Sequence, residues 1–213
     1  MQNKAQIMNL YNKYILPPLC NYFCSTKPIQ YQRKKIVSKA KGIILEVGIG
    51  SGNNIPFYDR SKIKKIIGLD PSNELSKMAK KKSIKYNLDI QYLSGVAEDI
   101  QLDENSVDTV LITYTLCSIE DSLAALREIK RVLKPSGNFL FCEHGIAPDK
   151  KIYNLQKRIN PVWKYIAGGC NLCKNIPELI TKENFKILSS ESMYLPNTPK
   201  FIAYNYWGVA KIN

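Results

Sequence analysis

The chain has 213 residues, 45% of them hydrophobic, and a formal net charge of +13 at pH 7. That length suits one domain with a three-layer core. No uninterrupted apolar run reaches the roughly 18 residues a membrane span needs, and the stretch from Tyr14 to Cys24 is broken by Pro17, Pro18 and Asn21. Neither a membrane span nor a secretory signal is expected, which points to a cytoplasmic protein.

The charge is unevenly spread. Lys4, Lys13, Lys27, Arg33, Lys34, Lys35, Lys39 and Lys41 all precede Glu46, the first acid. Such an arm favours anionic partners, nucleic acid or acidic lipid headgroups among them; the solvated surface of a Lys-rich chain explains it equally well. Of the six cysteines, Cys117 and Cys142 sit in apolar, strand-like surroundings and read as buried thiols. Cys170 and Cys173 have the spacing of half a zinc knuckle without a second half, and Cys20 and Cys24 are four apart. No metal is expected from these spacings.

In chain order, residues 1–41 read as one or two basic helices ending near Ala40 and lying across a core. From residue 42 short apolar runs alternate with helical stretches. Strands are predicted at Ile43–Val47, Lys65–Leu69, Ile90–Leu93, Val107–Ile112 and Phe139–Glu143, and helices at Ser72–Lys85 and Ile119–Leu133. The second helix stops before Lys134-Pro135-Ser136-Gly137. Right-handed crossovers turn this rhythm into an α/β, three-layer, doubly wound sheet. After residue 150 come helices at Ile152–Ile166 and Ile176–Thr181. Two late strands, Phe185–Tyr194 and Phe201–Ala210, add an antiparallel edge. The whole of 1–213 is one domain: an arm (1–41) covering the site, a core (42–150) and an acceptor side (151–213).

The sharpest motif is Glu46-Val47-Gly48-Ile49-Gly50-Ser51-Gly52-Asn53, at the end of the first strand. Glycines there allow a tight turn and let a ligand approach without a Cβ in the way. A dinucleotide loop needs a third small residue at position 53, where Asn53 stands, and a triphosphate loop needs Gly-Lys-Ser or Gly-Lys-Thr. Both ligands are disfavoured. Asp70, followed by Pro71 and Ser72, ends the second strand and is placed to accept from ribose hydroxyls; Ala97-Glu98 follows the third strand, where an adenine edge would lie.

Together these residues resemble the class I S-adenosylmethionine-dependent methyltransferases, with Glu46–Gly52, Gly68–Ser72, Ala97-Glu98 and Arg131–Gly137 carrying the likeness. Ser136 stands where that family usually has the first glycine of Pro-Gly-Gly. A narrower resemblance is to bacterial phosphatidylethanolamine N-methyltransferase-like proteins and to animal methyltransferase-like proteins that methylate thiols. It rests on Leu116-Cys117-Ser118, Phe141–Gly145, Asn160–Trp163, Gly169–Leu172 and Tyr204–Ala210. The animal proteins have an N-terminal hydrophobic anchor with no counterpart in this sequence, so at most peripheral membrane contact is expected. The resemblance implies S-adenosyl-L-methionine as cofactor and S-adenosyl-L-homocysteine as product. It puts Glu46, Gly48, Gly50, Gly52 and Asn53 around the methionine portion, Asp70, Pro71 and Ser72 at the ribose, Ala97 and Glu98 beside adenine, and backbone from Thr113 and Tyr114 to Leu116 beside the sulfonium.

His144, the only histidine, follows the fifth strand at the same crevice edge. Its unperturbed pKa suits a general base, with Glu143 as a candidate orienting partner. Leu116, Cys117, Trp163, Cys170 and Asn171 are candidate lining of the acceptor pocket. The function expected is methyl transfer to a small acceptor, a thiol or other soft nucleophile ahead of a phospholipid amine. A non-enzymatic cofactor-binding sensor is the reading from another class. A nucleic-acid substrate is disfavoured, since no Asn-Pro-Pro-Tyr or Asp-Pro-Pro-Tyr follows the fourth strand. Nothing in the sequence sets the oligomeric state.

Overall fold

The structure, a computed structural model, describes residues 10–213. Lys4 of the basic arm lies outside the described residues. A π turn at Tyr11–Ile15 runs into α1 (Leu16–Cys24), with the two prolines that interrupt the apolar stretch in its first turn. Pro28 sits likewise in the first turn of α2 (Lys27–Val37). α2 buries Gln32, Arg33, Ile36 and Val37, one face of a 3.6-residue period.

Seven strands form one sheet in the order β3-β2-β1-β4-β5-β7-β6. They are β1 (Gly42–Val47), β2 (Ile63–Leu69), β3 (Ile90–Leu93), β4 (Val107–Thr113), β5 (Leu133–His144), β6 (Phe185–Tyr194) and β7 (Tyr204–Ile212). The first five pair in parallel, and β7 is antiparallel to both β5 and β6. The helices are α3 (Asn73–Lys85), α4 (Ser122–Val132), α5 (Lys150–Ile166), α6 (Ile176–Lys182) and the single turn α7 (Lys200–Ala203). This is the mostly parallel α/β sheet with antiparallel C-terminal strands read from the sequence.

Alternation along the strands divides the core. Leu45, Ile67 and Val110 face α4 and α6 through Leu126, Ile129 and Ile180, while Ile44, Ile66 and Leu111 face α2 and α3 through Ile36, Val37 and Ala79. β2 and β4 flank β1 on opposite sides, so the chain order reverses beside β1 and opens a crevice at the carboxyl ends of the strands. α5 is tied to the rim of that crevice by buried Gln156. Its Nε2 donates to the carbonyls of Gly145 (3.1 Å) and Phe201 (3.0 Å), and its Oε1 accepts from Ala147 N (2.9 Å).

Several boundaries differ from expectation. α4 starts at Ser122 because the Asp121 carboxylate accepts from the amides of Leu123 and Ala124, a cap stronger than the apolar pattern that suggested Ile119. β5 begins at Leu133, since Leu133 pairs with Val107 and Asn138 with Thr109; the predicted turn at 134–137 is a loop bulging from the strand. The last strand starts at Tyr204, after residues 200–203 coil into α7.

Phe139 lies at the centre of the α4 and α6 side, fully buried, with the rings of Phe141 and Phe185 at 6.1 and 5.1 Å. Phe139→Ala leaves a cavity that strand backbones cannot close, and is expected to lower unfolding free energy by about 3–5 kcal/mol in denaturant titrations. A loss below about 1 kcal/mol would show that this part of the core relaxes around the gap.

Candidate active site

The loop after β1 is built by three glycines at positive φ: Gly48 (73°), Gly50 (54°) and Gly52 (73°). Two of them are required by the protein's own packing. A Cβ on Gly48 would stand 2.3 Å from the Thr115 side chain, and one on Gly52 would stand 2.6 Å from Ile55. Gly50 differs: its Cβ would meet only the Gly48 carbonyl, at 3.9 Å, so its missing side chain leaves open space. That is the place where a ligand can rest against backbone.

Asp70 locks this loop to the end of β2. Its Oδ2 accepts from Gly50 N and its Oδ1 from Ser72 N, both at 2.8 Å, and the residue is buried. Burial raises its pKa, and the Ser72 and Gly50 amides pull it back. Each carboxylate oxygen keeps an acceptor site for another donor. Pro71 is exposed beside it, and the Ser72 hydroxyl caps α3 by accepting from Leu75 N. The Asn53 side chain accepts from Lys82 Nζ at 2.9 Å. Ala97 is buried and Glu98 half-buried beyond β3.

Glu46, expected by resemblance near the methionine portion, sits in β1 beneath the loop. It is buried, and it accepts from Tyr58 OH at 2.6 Å and Asn54 Nδ2 at 2.9 Å. Beside it is Arg33, which the sequence places in a solvated basic arm. Instead its guanidinium is buried, donates to Asn54 Oδ1 (2.9 Å) and Thr113 Oγ1 (2.5 Å), and stacks 4.8 Å from the Tyr114 ring. Nothing distinguishes Arg33 from its lysine neighbours except guanidinium chemistry, which suits buried, multiply bonded positions. Asn54 and Tyr58 also escaped the sequence reading, because they act only after the loop folds back on β1.

At the end of β4, Tyr114 adopts φ 51°, a strained conformation for a bulky side chain. It is held there by its amide on Cys142 O (2.9 Å), its hydroxyl on Asn205 Oδ1 (2.5 Å) and the Arg33 stack. The turn aims residues 115–117 at Glu143. Its Oε1 accepts from Thr115 N (2.8 Å) and Leu116 N (3.0 Å), and its Oε2 from Cys117 N (3.3 Å). Glu143 therefore does not orient His144, as the sequence suggested; both oxygens hold the β4 loop, and His144 Nδ1 has no hydrogen-bond partner.

The opposite ring nitrogen of His144, Nε2, lies 3.0 Å from Cys170 Sγ, which also accepts from Trp163 Nε1 at 3.1 Å. Cys117 completes a group of three whose ligating atoms lie within 4.8 Å of one another. Asn171 N donates to Cys117 O (3.0 Å) and joins the two segments. The acceptor-side candidates Leu116, Cys117, Trp163, Cys170 and Asn171 are thus brought to one end of the crevice. On the arm, the Asn21 side chain accepts from Ser51 Oγ at 2.6 Å, and Tyr11 OH donates to Ile166 O at 2.5 Å.

Comparison with known proteins agrees with this geometry. A family profile for the methyltransferase domain matches residues 45–141. Thiol S-methyltransferase TMT1B of Rattus norvegicus is 31% identical over 180 residues, covering 78% of this chain and 72% of the relative. Thiol S-methyltransferase TMT1A of Homo sapiens is 31% identical over 173 residues, covering 78% and 69%. A solved S-adenosylmethionine-dependent methyltransferase of Thermotoga maritima superposes with a TM-score of 0.67 at 18% identity, over 97% of this chain and 99% of that one. The chain belongs to the class I S-adenosylmethionine-dependent methyltransferases. The residues present fit that cofactor: Gly50 leaves room for a ligand against the loop, and Asp70 has acceptor sites for hydroxyls. When bound, it supplies an electrophilic methyl group on a sulfonium.

Asp70→Asn keeps the shape but turns one acceptor into a donor facing an amide. It is expected to weaken S-adenosylmethionine binding by about 10–100-fold in isothermal titration, the loss of one or two charge-assisted bonds. Unchanged affinity would mean the loop holds its form without this anchor. Burial pushes the Glu46 carboxyl up to about 7, against the opposing pull of the Tyr58 hydroxyl, Arg33 and Asn54. A carboxyl whose pKa rises on folding from 4.5 to about 7 stabilises the fold fully below 4.5 and loses that contribution as pH climbs through 7. The loss is about 3 kcal/mol. Urea titrations across this range should show that decline, and Glu46→Gln should flatten it; parallel slopes for the two proteins would contradict the assignment.

Proposed function

We propose that this methyltransferase acts on a small thiol. The observation that carries the reading is the His144 imidazole, placed at the end of β5 beside Cys117 and Cys170 and next to the loop from Tyr114 to Leu116. The similarity to thiol S-methyltransferases supports it. A thiol with an ordinary pKa of about 8.5 is only a few per cent thiolate at neutral pH, so a proton acceptor at the acceptor sulfur raises the reactive fraction. In this reading the His144 imidazole, whose Nε2 lies 3.0 Å from Cys170 Sγ, takes that proton. Trp163 Nε1 donates to the half-buried Cys170 Sγ at 3.1 Å, an aromatic and a sulfur side by side next to His144, as a small, partly apolar acceptor would require. The helical arm touches both the glycine loop, through Asn21 and Ser51, and the end of α5, through Tyr11 and Ile166, which supports a role for it as a cover of the site.

A second reading, methylation of a phospholipid amine, draws on one feature of the surface. Tyr14, Tyr22 and Phe23 of the arm and Val162 and Tyr165 of α5 are exposed large hydrophobic residues, with Lys27 and Lys164 nearby in the chain. Aromatic and basic side chains together suit peripheral contact with acidic lipid. No helix among the described residues is long and apolar enough to cross a membrane.

The test is transfer of label from methyl-labelled S-adenosylmethionine to a panel of small alkyl and aryl thiols, with phosphatidylethanolamine in acidic vesicles as a parallel acceptor. Thiols should be methylated, and His144→Asn should lower kcat/KM by about 10²–10⁴-fold with cofactor affinity unchanged. Labelled lipid with unlabelled thiols would establish the second reading. Binding without transfer to either acceptor would make the protein a cofactor sensor.

A further inference from the structure

The spacings Cys170 to Cys173 and Cys20 to Cys24 supply too few ligands for a metal. Folding creates a different set. Cys117 comes from the loop after β4, His144 from the end of β5, and Cys170 from the turn after α5, and their ligating atoms lie within 4.8 Å of one another. Cys173 is outside this group. We propose that Cys117 Sγ, His144 Nε2 and Cys170 Sγ bind a zinc ion with the fourth position open. The role of that open position, as the seat of the acceptor sulfur, rests on the thiol reading above; the metal site itself does not.

Donor chemistry favours zinc. Two thiolates and one neutral imidazole form a set that zinc enzymes use with an open fourth position, and the two negative charges cancel the ion's own. Tetrahedral zinc, with bonds of about 2.3 Å to sulfur and 2.0–2.1 Å to nitrogen, holds its ligand atoms about 3.5–3.8 Å apart. The 3.0 Å from Nε2 to Cys170 Sγ and the 4.8 Å span of the group bracket those separations. Rotamer adjustments of about an ångström are enough.

The surroundings are those of a ligand set. Trp163 Nε1 donates to Cys170 Sγ at 3.1 Å, the kind of outer contact that steadies a metal-bound thiolate. Both thiol-bearing segments are anchored through backbone: Cys117 N on Glu143, Asn171 N on Cys117 O, and Leu172 N on Asn160 Oδ1 at 2.9 Å. His144 Nδ1 has no hydrogen-bond partner, so with Nε2 on the metal the Nδ1 proton lacks the outer acceptor that ligating histidines usually have. The Lys174 ammonium lies close by, bonded to Leu116 O, Ile119 O and Ser122 Oγ, where it offsets a third thiolate in the open position.

Occupancy changes how the acceptor is activated. A thiol entering the fourth position loses its proton to solvent as its sulfur bonds to the metal. As that sulfur bonds to the methyl carbon, the sulfonium–methyl bond breaks with its electron pair going to the cofactor sulfur, giving neutral S-adenosylhomocysteine, and the neutral thioether, a weak ligand, leaves. With zinc bound, His144 is a ligand and coordination replaces its role as proton acceptor.

Cobalt(II) makes the site visible. Chelator-stripped protein, kept reduced with a phosphine, should take up one equivalent with the visible bands of a tetrahedral ion and a near-ultraviolet thiolate charge-transfer band. Zinc should displace it, and a small thiol should shift the visible bands. Cys117→Ser, Cys170→Ser and His144→Asn should each weaken uptake by about 10–100-fold, while Cys173→Ser leaves it unchanged. Cofactor titration reports whether each variant is folded, and the half-buried Cys170 serves if the Cys117 variant is not. Failure of the wild-type protein to saturate in excess cobalt, or uptake indifferent to Cys170→Ser, overturns the site. Full thiol methylation by metal-free protein that takes up no cobalt keeps the thiol reading and removes the zinc; stoichiometric cobalt without transfer to any thiol does the reverse.

Discussion

The carboxylate of Glu143, buried at the end of β5, accepts from the three consecutive amides of residues 115–117, and the acceptor half of the crevice depends on it. Those amides follow Tyr114, whose left-handed backbone leaves them pointing together instead of along a strand. Burying a carboxylate is costly, and three donors are what makes it tolerable. In return the loop has one geometry. Cys117 is fixed next to His144, Asn171 is fixed on Cys117 O, and the turn holding Cys170 follows. Removing the carboxylate would free a loop, a turn and a helix end together.

A second buried network governs the cofactor half. Arg33, Glu46, Asn54, Tyr58 and Thr113 form one hydrogen-bonded cluster beneath the glycine loop. Its members come from the arm, two strand ends and the loop itself, so the arm is part of the foundation of the glycine loop. The stack of Arg33 on Tyr114 joins this cluster to the strained turn and thereby to Glu143. The halves of the crevice share one support.

What could be read from the sequence follows from how local each feature is. The glycine loop and Asp70 were legible because a tight turn and a following acid leave their mark within a few dozen residues, and the bond from Gly50 N to Asp70 makes that mark structural. The parallel strands were legible for the same reason: apolar runs between capped helices repeat at regular spacing. Arg33 was not, since a buried guanidinium and a solvated one look alike in a row of lysines. Glu143 was assigned to the wrong neighbour because adjacency in sequence suggested His144, whereas alternation along a strand sends successive side chains to opposite faces. The grouping of Cys117, His144 and Cys170 was invisible because it joins positions separated by 26 residues or more, and the nearer Cys170 and Cys173 drew attention instead.

That contrast explains why the cofactor is easier to infer than the acceptor. The cofactor side is made largely of backbone: glycines with no side chain, an open space at Gly50 and amides held by a carboxylate. Such a surface tolerates change in the rest of the chain, and the fold that carries it is shared with the Thermotoga maritima structure at 18% identity. The cluster at the other end is made of side chains, one sulfur from the loop after β4, one imidazole from the end of β5 and a second sulfur from the turn after α5. A single replacement there alters the chemistry without altering the fold. Cys117, His144, Trp163 and Cys170 meet on a scaffold that the Glu143 bonds and the Arg33 cluster hold together.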